Sequence, residues 1–261
     1  EWLEEAKKGQ GETEETKSLY NLARKIIKEG RDGRCIRIFT GSDKDDPSSR
    51  LLSLNSESKL VSFRGYDWKI ELWDVKTGKP INSFKHKQQI KAISLSPTGS
   101  DALITTILSN DDSFKLWNLV TDECIRTFAG HNKGTYSVCF SPDGSKALSG
   151  GADCTMKLWD IKTGSCIRTF NNEHTTSVSA VCFSPDGSKA LSGSMNEMIL
   201  WDIATGLRVH TFKSKTDSLP CSPDGNKALS VGSRISMDED SIKLWDITGG
   251  NCSRPIPGHV N

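Results

Sequence analysis

Ser149, His131 and Asp153 fall in one short window of the chain. They are the residue types of a hydrolytic triad, in which histidine takes the serine proton and a carboxylate orients the histidine. Trp159, a few residues further on, offers a second use for the same groups. A buried indole N–H needs an acceptor; a serine hydroxyl can accept it and donate to histidine, which donates onward to aspartate. Repetition separates the two uses. "HNKGTYSVCFSPDGSKALSGGADCTMKLWDIKTGSCIRTF", from His131 to Phe170, returns from His174 as "HTTSVSAVCFSPDGSKALSGSMNEMILWDIATGLRVHTF". A catalytic group is not expected to be written into several units and left to decay in others, whereas a stabilising group can be lost at a tolerable cost per unit. The structural use is preferred, and no catalytic residue is assigned.

Other chemistry is not encoded. The chain has no phosphate-binding Gly loop followed by Lys-Ser/Thr and no H-E-x-x-H. The acidic runs at 43–46 ("DKDD") and 238–240 ("DED") lack the spacing and glycine of a calcium loop and read as solvated turns. None of the 8 cysteines sits in a C-x-x-C pair, so neither a cofactor nor a metal is expected. Cys124 and Cys166 share one place in the repeat, which Cys35 and Cys252 also fit, and Cys139 and Cys182 share another. Recurrence at one place predicts small buried hydrophobes, with Cys154 the exposed thiol. With 34 basic and 33 acidic residues in 261, nothing pulls the chain toward nucleic acid or an anionic membrane. No apolar run approaches membrane-spanning length, and "EWLEEAKKGQ" has the wrong charge for a secretory signal, so a cytoplasmic location is expected. The missing initiator Met reads as a piece of something longer.

The elements that must position these residues follow from the period. Trp73, Trp117, Trp159, Trp201 and Trp245 recur at spacings of 44, 42, 42 and 44, each followed by Asp or, once, Asn. Each unit holds four short runs of alternating apolar and polar residues, which predicts four strands. In the Trp159 unit these are "YSVCF", "KALSG", "TMKLW" and "CIRTF", joined by turns such as "SPDG", where Pro142 presets φ and Gly144 supplies positive φ. The combination of GH, SPDG, KLWD and TG elements resembles the WD40 repeat, over roughly residues 34–261. That resemblance implies an all-β fold, a β-propeller of about five four-stranded blades. It also implies that His131, Ser149, Asp153 and Trp159 form the structural tetrad such repeats carry.

Neighbouring units repeat the tetrad unevenly. The Trp117 unit supplies His86, Thr105 or Thr106, and Asp111; the Trp201 unit has His174 and Ser192 but Met195 or Asn196 where an Asp is expected. In the Trp73 unit Asp67 is present without a preceding GH, and in the Trp245 unit His210 belongs to the previous strand, leaving the histidine place empty. Pro220 falls in what should be an innermost strand and predicts that this strand is short or irregular. Insertions after Ile107 and before Ser241 lengthen two turns.

Residues 1–33 read as a separate helical segment: Leu19, Leu22, Ala23, Ile26 and Ile27 form one stripe ending at Gly30, and the junction resembles a tetratricopeptide hairpin. "CIRIF" at Cys35 is a second helix in that view; its likeness to "CIRTF" favours a lone strand. Five blades are fewer than such rings usually hold, so the chain reads either as a fragment of a longer array or as an open set whose strand edges could self-associate. The resemblance implies a non-enzymatic scaffold for protein or peptide partners, with Tyr66, Trp68 and Tyr136 as aromatic contact candidates. The alternative is a sensory or regulatory module of a larger signalling enzyme, a kinase or an NTPase.

Overall fold

The computed structural model describes residues 49–54, 59–64, 69–74, 77, 79–106, 112–171, 173–214, 216, 219, 221–222, 226–230, 241–247 and 251–257. The expected helices in 1–33, the strand at Cys35, and Tyr66, Asp67, Trp68, Asp111 and Pro220 lie outside them. The chain divides into units Glu1–Ser49 and Arg50–Asn261, and the fold described is that of the second.

Its described residues contain no helix; they form five antiparallel sheets in chain order. Sheet 1 comprises β1 (Ser49–Leu54), β2 (Lys59–Arg64), β3 (Lys69–Asp74) and β4 (Lys79–Lys85), and sheet 2 comprises β5 (Ile90–Leu95), β6 (Asp101–Thr106), β7 (Phe114–Asn118) and β8 (Glu123–Phe128). Sheet 3 holds β9 (Thr135–Phe140), β10 (Lys146–Gly151), β11 (Met156–Asp160) and β12 (Cys166–Phe170); sheet 4 holds β13 (Val178–Phe183), β14 (Lys189–Ser194), β15 (Met198–Asp202) and β16 (Arg208–Phe212). Sheet 5 holds β17 (Lys227–Ser230), β18 (Ser241–Asp246) and β19 (Asn251–Pro257), and at the place of an innermost strand the described residues form one bridge, Cys221 to Ala228. Sheets 1 to 4 are the expected four-stranded units.

Four apolar clusters lie between successive sheets, so sheets 2, 3 and 4 bury both faces. Leu103, Phe114, Leu116 and Phe128 of sheet 2 meet Val138, Phe140, Ala147 and Trp159 of sheet 3, and the same places interlock between sheets 3 and 4 and between sheets 4 and 5. The repeated tryptophan turns the edge of its ring to a phenylalanine of the preceding sheet: Phe128–Trp159 at 5.9 Å, Phe170–Trp201 at 5.1 Å and Phe212–Trp245 at 5.2 Å between centroids. The aspartate after it has a different task. Asp160 accepts from the Thr163 N–H at 2.7 Å and hydroxyl at 2.9 Å, and Asp202 does the same for Thr205, closing the turn into the outer strand. Trp therefore joins sheets while Asp shapes the hairpin, which explains why the two are written side by side.

An inter-sheet latch appears that the sequence reading did not assign. Residues opposite the central leucine of the third strand reach from one sheet's outer strand to the next sheet's turn. Asn82 donates to the Leu119 carbonyl at 2.7 Å, Arg126 to that of Thr163 at 3.0 Å, and Arg168 to those of Ile203 and Ala204 at 3.3 and 3.4 Å. The receiving turns carry Gly164 (φ 79°) and Gly206 (φ 75°); both need the left-handed region, and a side chain there would strike the arginine stem. The "R" of "CIRTF" and the "TG" of the following unit are thus two halves of one contact. Arg168→Ala is expected to lower stability by about 1 kcal/mol, measured as a lower urea midpoint, through lost hydrogen bonds and stem packing.

Cys124 and Cys166 are exposed, not buried as their recurrence predicted, and Cys154 is half-buried. The reason is strand position: β8 and β12 are outer edges whose first residues face solvent, so a residue can recur at one place without being in the core. Cys182 in the innermost strand of sheet 4 is buried as expected.

Candidate functional site

The four residues of the Trp159 unit come from two strands of sheet 3, the turn that joins them and the segment before β9. His131 precedes β9, Ser149 lies in β10, Asp153 in the turn that follows it, and Trp159 in β11. Ala147 pairs with Trp159, so Ser149 two residues on shares its face and meets the indole. Trp159 Nε1 donates to Ser149 Oγ at 2.8 Å, leaving the hydroxyl proton for His131 Nε2 at 2.7 Å. His131 Nδ1 then donates to the Asp153 carboxylate, 2.9 Å from each oxygen. Asp153 also accepts from the Asn132 N–H at 3.1 Å and the Thr155 hydroxyl at 2.8 Å.

The electrostatics fit a closed chain of donors. Burial pushes the His131 imidazole below its ordinary value and Asp153 only partly restores it, so the ring is held neutral. Burial pushes the Asp153 carboxyl up, but hydrogen bonds from Thr155, Asn132 and His131 bring it below the ordinary range, so it is ionised. Ser149 is 0% exposed and its oxygen is engaged on both sides. A nucleophile needs an open approach to the oxygen, and this serine has none among the described residues.

Sheet 4 repeats the inner half: Trp201 Nε1 donates to Ser192 Oγ at 2.7 Å and Ser192 Oγ lies 2.6 Å from His174 Nε2. Its turn is one residue shorter, and neither Met195 nor Asn196 reaches the ring; Met195 is 53% exposed and Asn196 bonds Thr175. The carboxylate facing His174 Nδ1 is Glu197, at 3.5 Å, from the place that Thr155 holds in sheet 3. At that separation neither His174 Nδ1 nor Glu197 Oε1 has a hydrogen-bond partner. Burial accordingly takes His174 from its ordinary 6.5 to about 4. A depressed folded-state value means the unfolded chain binds the proton more readily, so this residue's contribution is complete above pH 6.5 and is lost as pH falls through 4. Stability is expected to decline below pH 6.5, with the His174 ring midpoint near pH 4 by NMR; a midpoint near 6.5 contradicts the burial argument.

Sheet 5 fills the histidine place that the sequence left empty. Ser214, two residues after Phe212 as His86 is two after Phe84, lies 2.9 Å from Ser230 Oγ, which accepts from Trp245 Nε1 at 2.8 Å. That shared spacing was the available signal.

Sheet 2 does not form the expected chain, and the correction has a plain cause. Ala102 pairs with Trp117, which puts Ile104, and neither Thr105 nor Thr106, at the place of Ser149. Without an acceptor inside, the Trp117 indole donates outward to Asp122 at 3.0 Å, while His86 Nδ1 contacts the Gln88 backbone and its ring stands edge-on to Trp117 at 5.3 Å. Thr105 Oγ1 is buried without a hydrogen-bond partner. Asp111 of that unit is outside the described residues.

Of the contact candidates, Tyr136 is described. It lies in β9, half-buried, with Lys91 Nζ 3.0 Å above its ring centroid. Lys91 in β5, Tyr136 in β9 and Ser179 in β13 each stand five residues before the Ser of the following Ser-Pro turn, so they are neighbours on successive innermost strands.

Comparison with known proteins agrees with this frame. The family model "WD domain, G-beta repeat" matches residues 78–118, 122–160 and 164–202. The guanine nucleotide-binding protein subunit beta of Zea mays is 26% identical over 253 residues, covering 89% of this chain and 64% of its own. The nuclear distribution protein PAC1 of Arthroderma otae is 30% identical over 214 residues, covering 77% of this chain and 41% of its own. The human WD repeat and SOCS box-containing protein 1 is 33% identical over 121 residues, 43% of this chain and 28% of its own. The chain therefore spans less than two thirds of each of these relatives. With three matched repeats, a recurring Trp-Asp pair and face-to-face four-stranded sheets, the chain belongs to the WD40-repeat family.

Proposed function

We propose that the chain is a non-catalytic scaffold whose sheets hold recognition loops for protein or peptide partners, on the loop end that carries Lys91 and Tyr136. The observation that carries this reading is the state of Ser149: the chain's best nucleophile candidate is buried and its oxygen is saturated by Trp159 and His131. The same donor chain is rebuilt with other residues in sheets 4 and 5, as a framework element would be. Lys91 and Tyr136 add a cation and an aromatic face where inner strands begin, a pairing suited to contact with another chain. The maize relative is by its name one subunit of a larger assembly, which supports partner binding here.

Affinity capture from the source cell, comparing the native chain with a Lys91→Ala/Tyr136→Ala variant of unchanged melting temperature, tests the reading. Stoichiometric partners of the native chain should fall at least about tenfold with the variant, since central aromatic anchors dominate such contacts. Equal retention by both moves the contact to another face, and turnover abolished by Ser149→Ala in a still-folded chain overturns the scaffold reading.

A further inference from the structure

Successive sheets meet through one repeated contact between their innermost strands. The residue before the strand's last position in one sheet lies beside the last residue of the next: Ser94 beside Phe140, Cys139 beside Phe183, Cys182 beside Cys221. Register confirms the equivalence, because Phe140, Phe183 and Cys221 each pair with an alanine, Ala147, Ala190 and Ala228. In two interfaces the second member is a large ring. In the third it is a cysteine, which meets the cysteine that recurs from the preceding unit. The two sulfurs are 2.8 Å apart, well inside the contact distance of two unbonded sulfurs.

We propose that Cys182 and Cys221 form a reversible disulfide that ties the innermost segment of sheet 5 to sheet 4. This segment is where a tie has most to offer. Among the described residues its strand pairing is one isolated bridge, where the other innermost strands are six residues long. The two thiols also differ in access. Cys182 is buried, whereas Cys221 is half-buried and lines a small cavity with Ser184, Lys189, Leu200 and Ile247. Contact with Cys221 and burial raise the Cys182 thiol well above its ordinary value, so it is the poorer first nucleophile.

With hydrogen peroxide as oxidant the electrons balance. The Cys221 sulfur attacks one peroxide oxygen, the O–O bond breaks, and sulfenic acid and one water result. The Cys182 sulfur then attacks the sulfenic sulfur, the S–S bond forms, and its thiol proton leaves with the hydroxyl as a second water. Two thiols and one peroxide become one disulfide and two waters. A thiol reductant reverses it by exchange.

The test uses the reduced 261-residue chain exposed to hydrogen peroxide, alkylated, digested without reductant and mapped by mass spectrometry. A linked peptide joining Cys182 to Cys221 is expected, together with a melting temperature raised by about 5 °C and returned by dithiothreitol, since the bond closes a loop of 39 residues. Cys221→Phe, which installs the residue of the other interfaces, should abolish both while the reduced protein melts close to native; Cys182→Ser serves the same purpose if that ring does not fit. The proposal fails if both thiols stay unlinked after exposed Cys166 has been oxidised, if Cys182 links elsewhere, or if the melting shift persists in Cys221→Phe.

Discussion

Replacing Ser149 with alanine is expected to destabilise the protein by about 3 kcal/mol, a fall in melting temperature of roughly 6–12 °C, and to abolish no activity. The side chain is 0% exposed and joins the Trp159 N–H to the His131 ring. Alanine keeps nearly the same volume, so the loss does not come from a cavity. It comes from a buried indole donor with no acceptor and a buried imidazole nitrogen with no donor. The test is thermal and urea unfolding of the single variant, of Trp159→Phe and of the double variant. Trp159→Phe removes the donor that Ser149 serves, so the double variant should cost less than the sum of the two. Strict additivity would contradict the donor chain.

Gly151→Ala is expected to cost at least as much, about 3 kcal/mol or more, although it adds one methyl group. A Cβ at Gly151 would fall 2.8 Å from Asp153 Oδ1 and within clashing distance of His131 Nδ1. Neither group can retreat cheaply: the imidazole is held on one side by Ser149 and on the other by the Asp153 carboxylate. The methyl therefore breaks the His131–Asp153 link or displaces the turn, adding an unpaired buried polar group to the strain of overpacking. Loss of the low-field His131 N–H resonance, together with the lowered urea midpoint, is the expected signature. A variant that keeps both would show that the turn accommodates the methyl.

Much of this architecture was legible beforehand because the repeat wrote it five times. Period, turn residues and the Trp-Asp mark placed strands, sheets and the donor chain around Trp159, since a period-two strand fixes which side chains share a face. The same arithmetic misplaced sheet 2: counting from the motif made Thr105 or Thr106 the serine equivalent, but pairing with Trp117 selects Ile104. Glu197 was missed because a turn shortened by one residue moves the acid to a position where only a longer side chain reaches. Cys124 and Cys166 were misjudged because recurrence records a place in the unit, while burial depends on whether that place is an edge.

The sequence by itself determined the unit: four strands, their turns, and the residues each unit spends on holding its own strands together. Those are local decisions, made within about forty residues by alternation, glycine and proline, and buried donor chemistry. Only the tertiary structure decided what passes between units. The reach of Arg168 to the turn at Gly206, the edge contact of Phe170 with Trp201, and the approach of Cys182 to Cys221 each join residues 31 to 39 positions apart in different sheets. No periodicity states such distances, because they depend on how far one sheet is turned against the next, and packing between sheets sets that rotation.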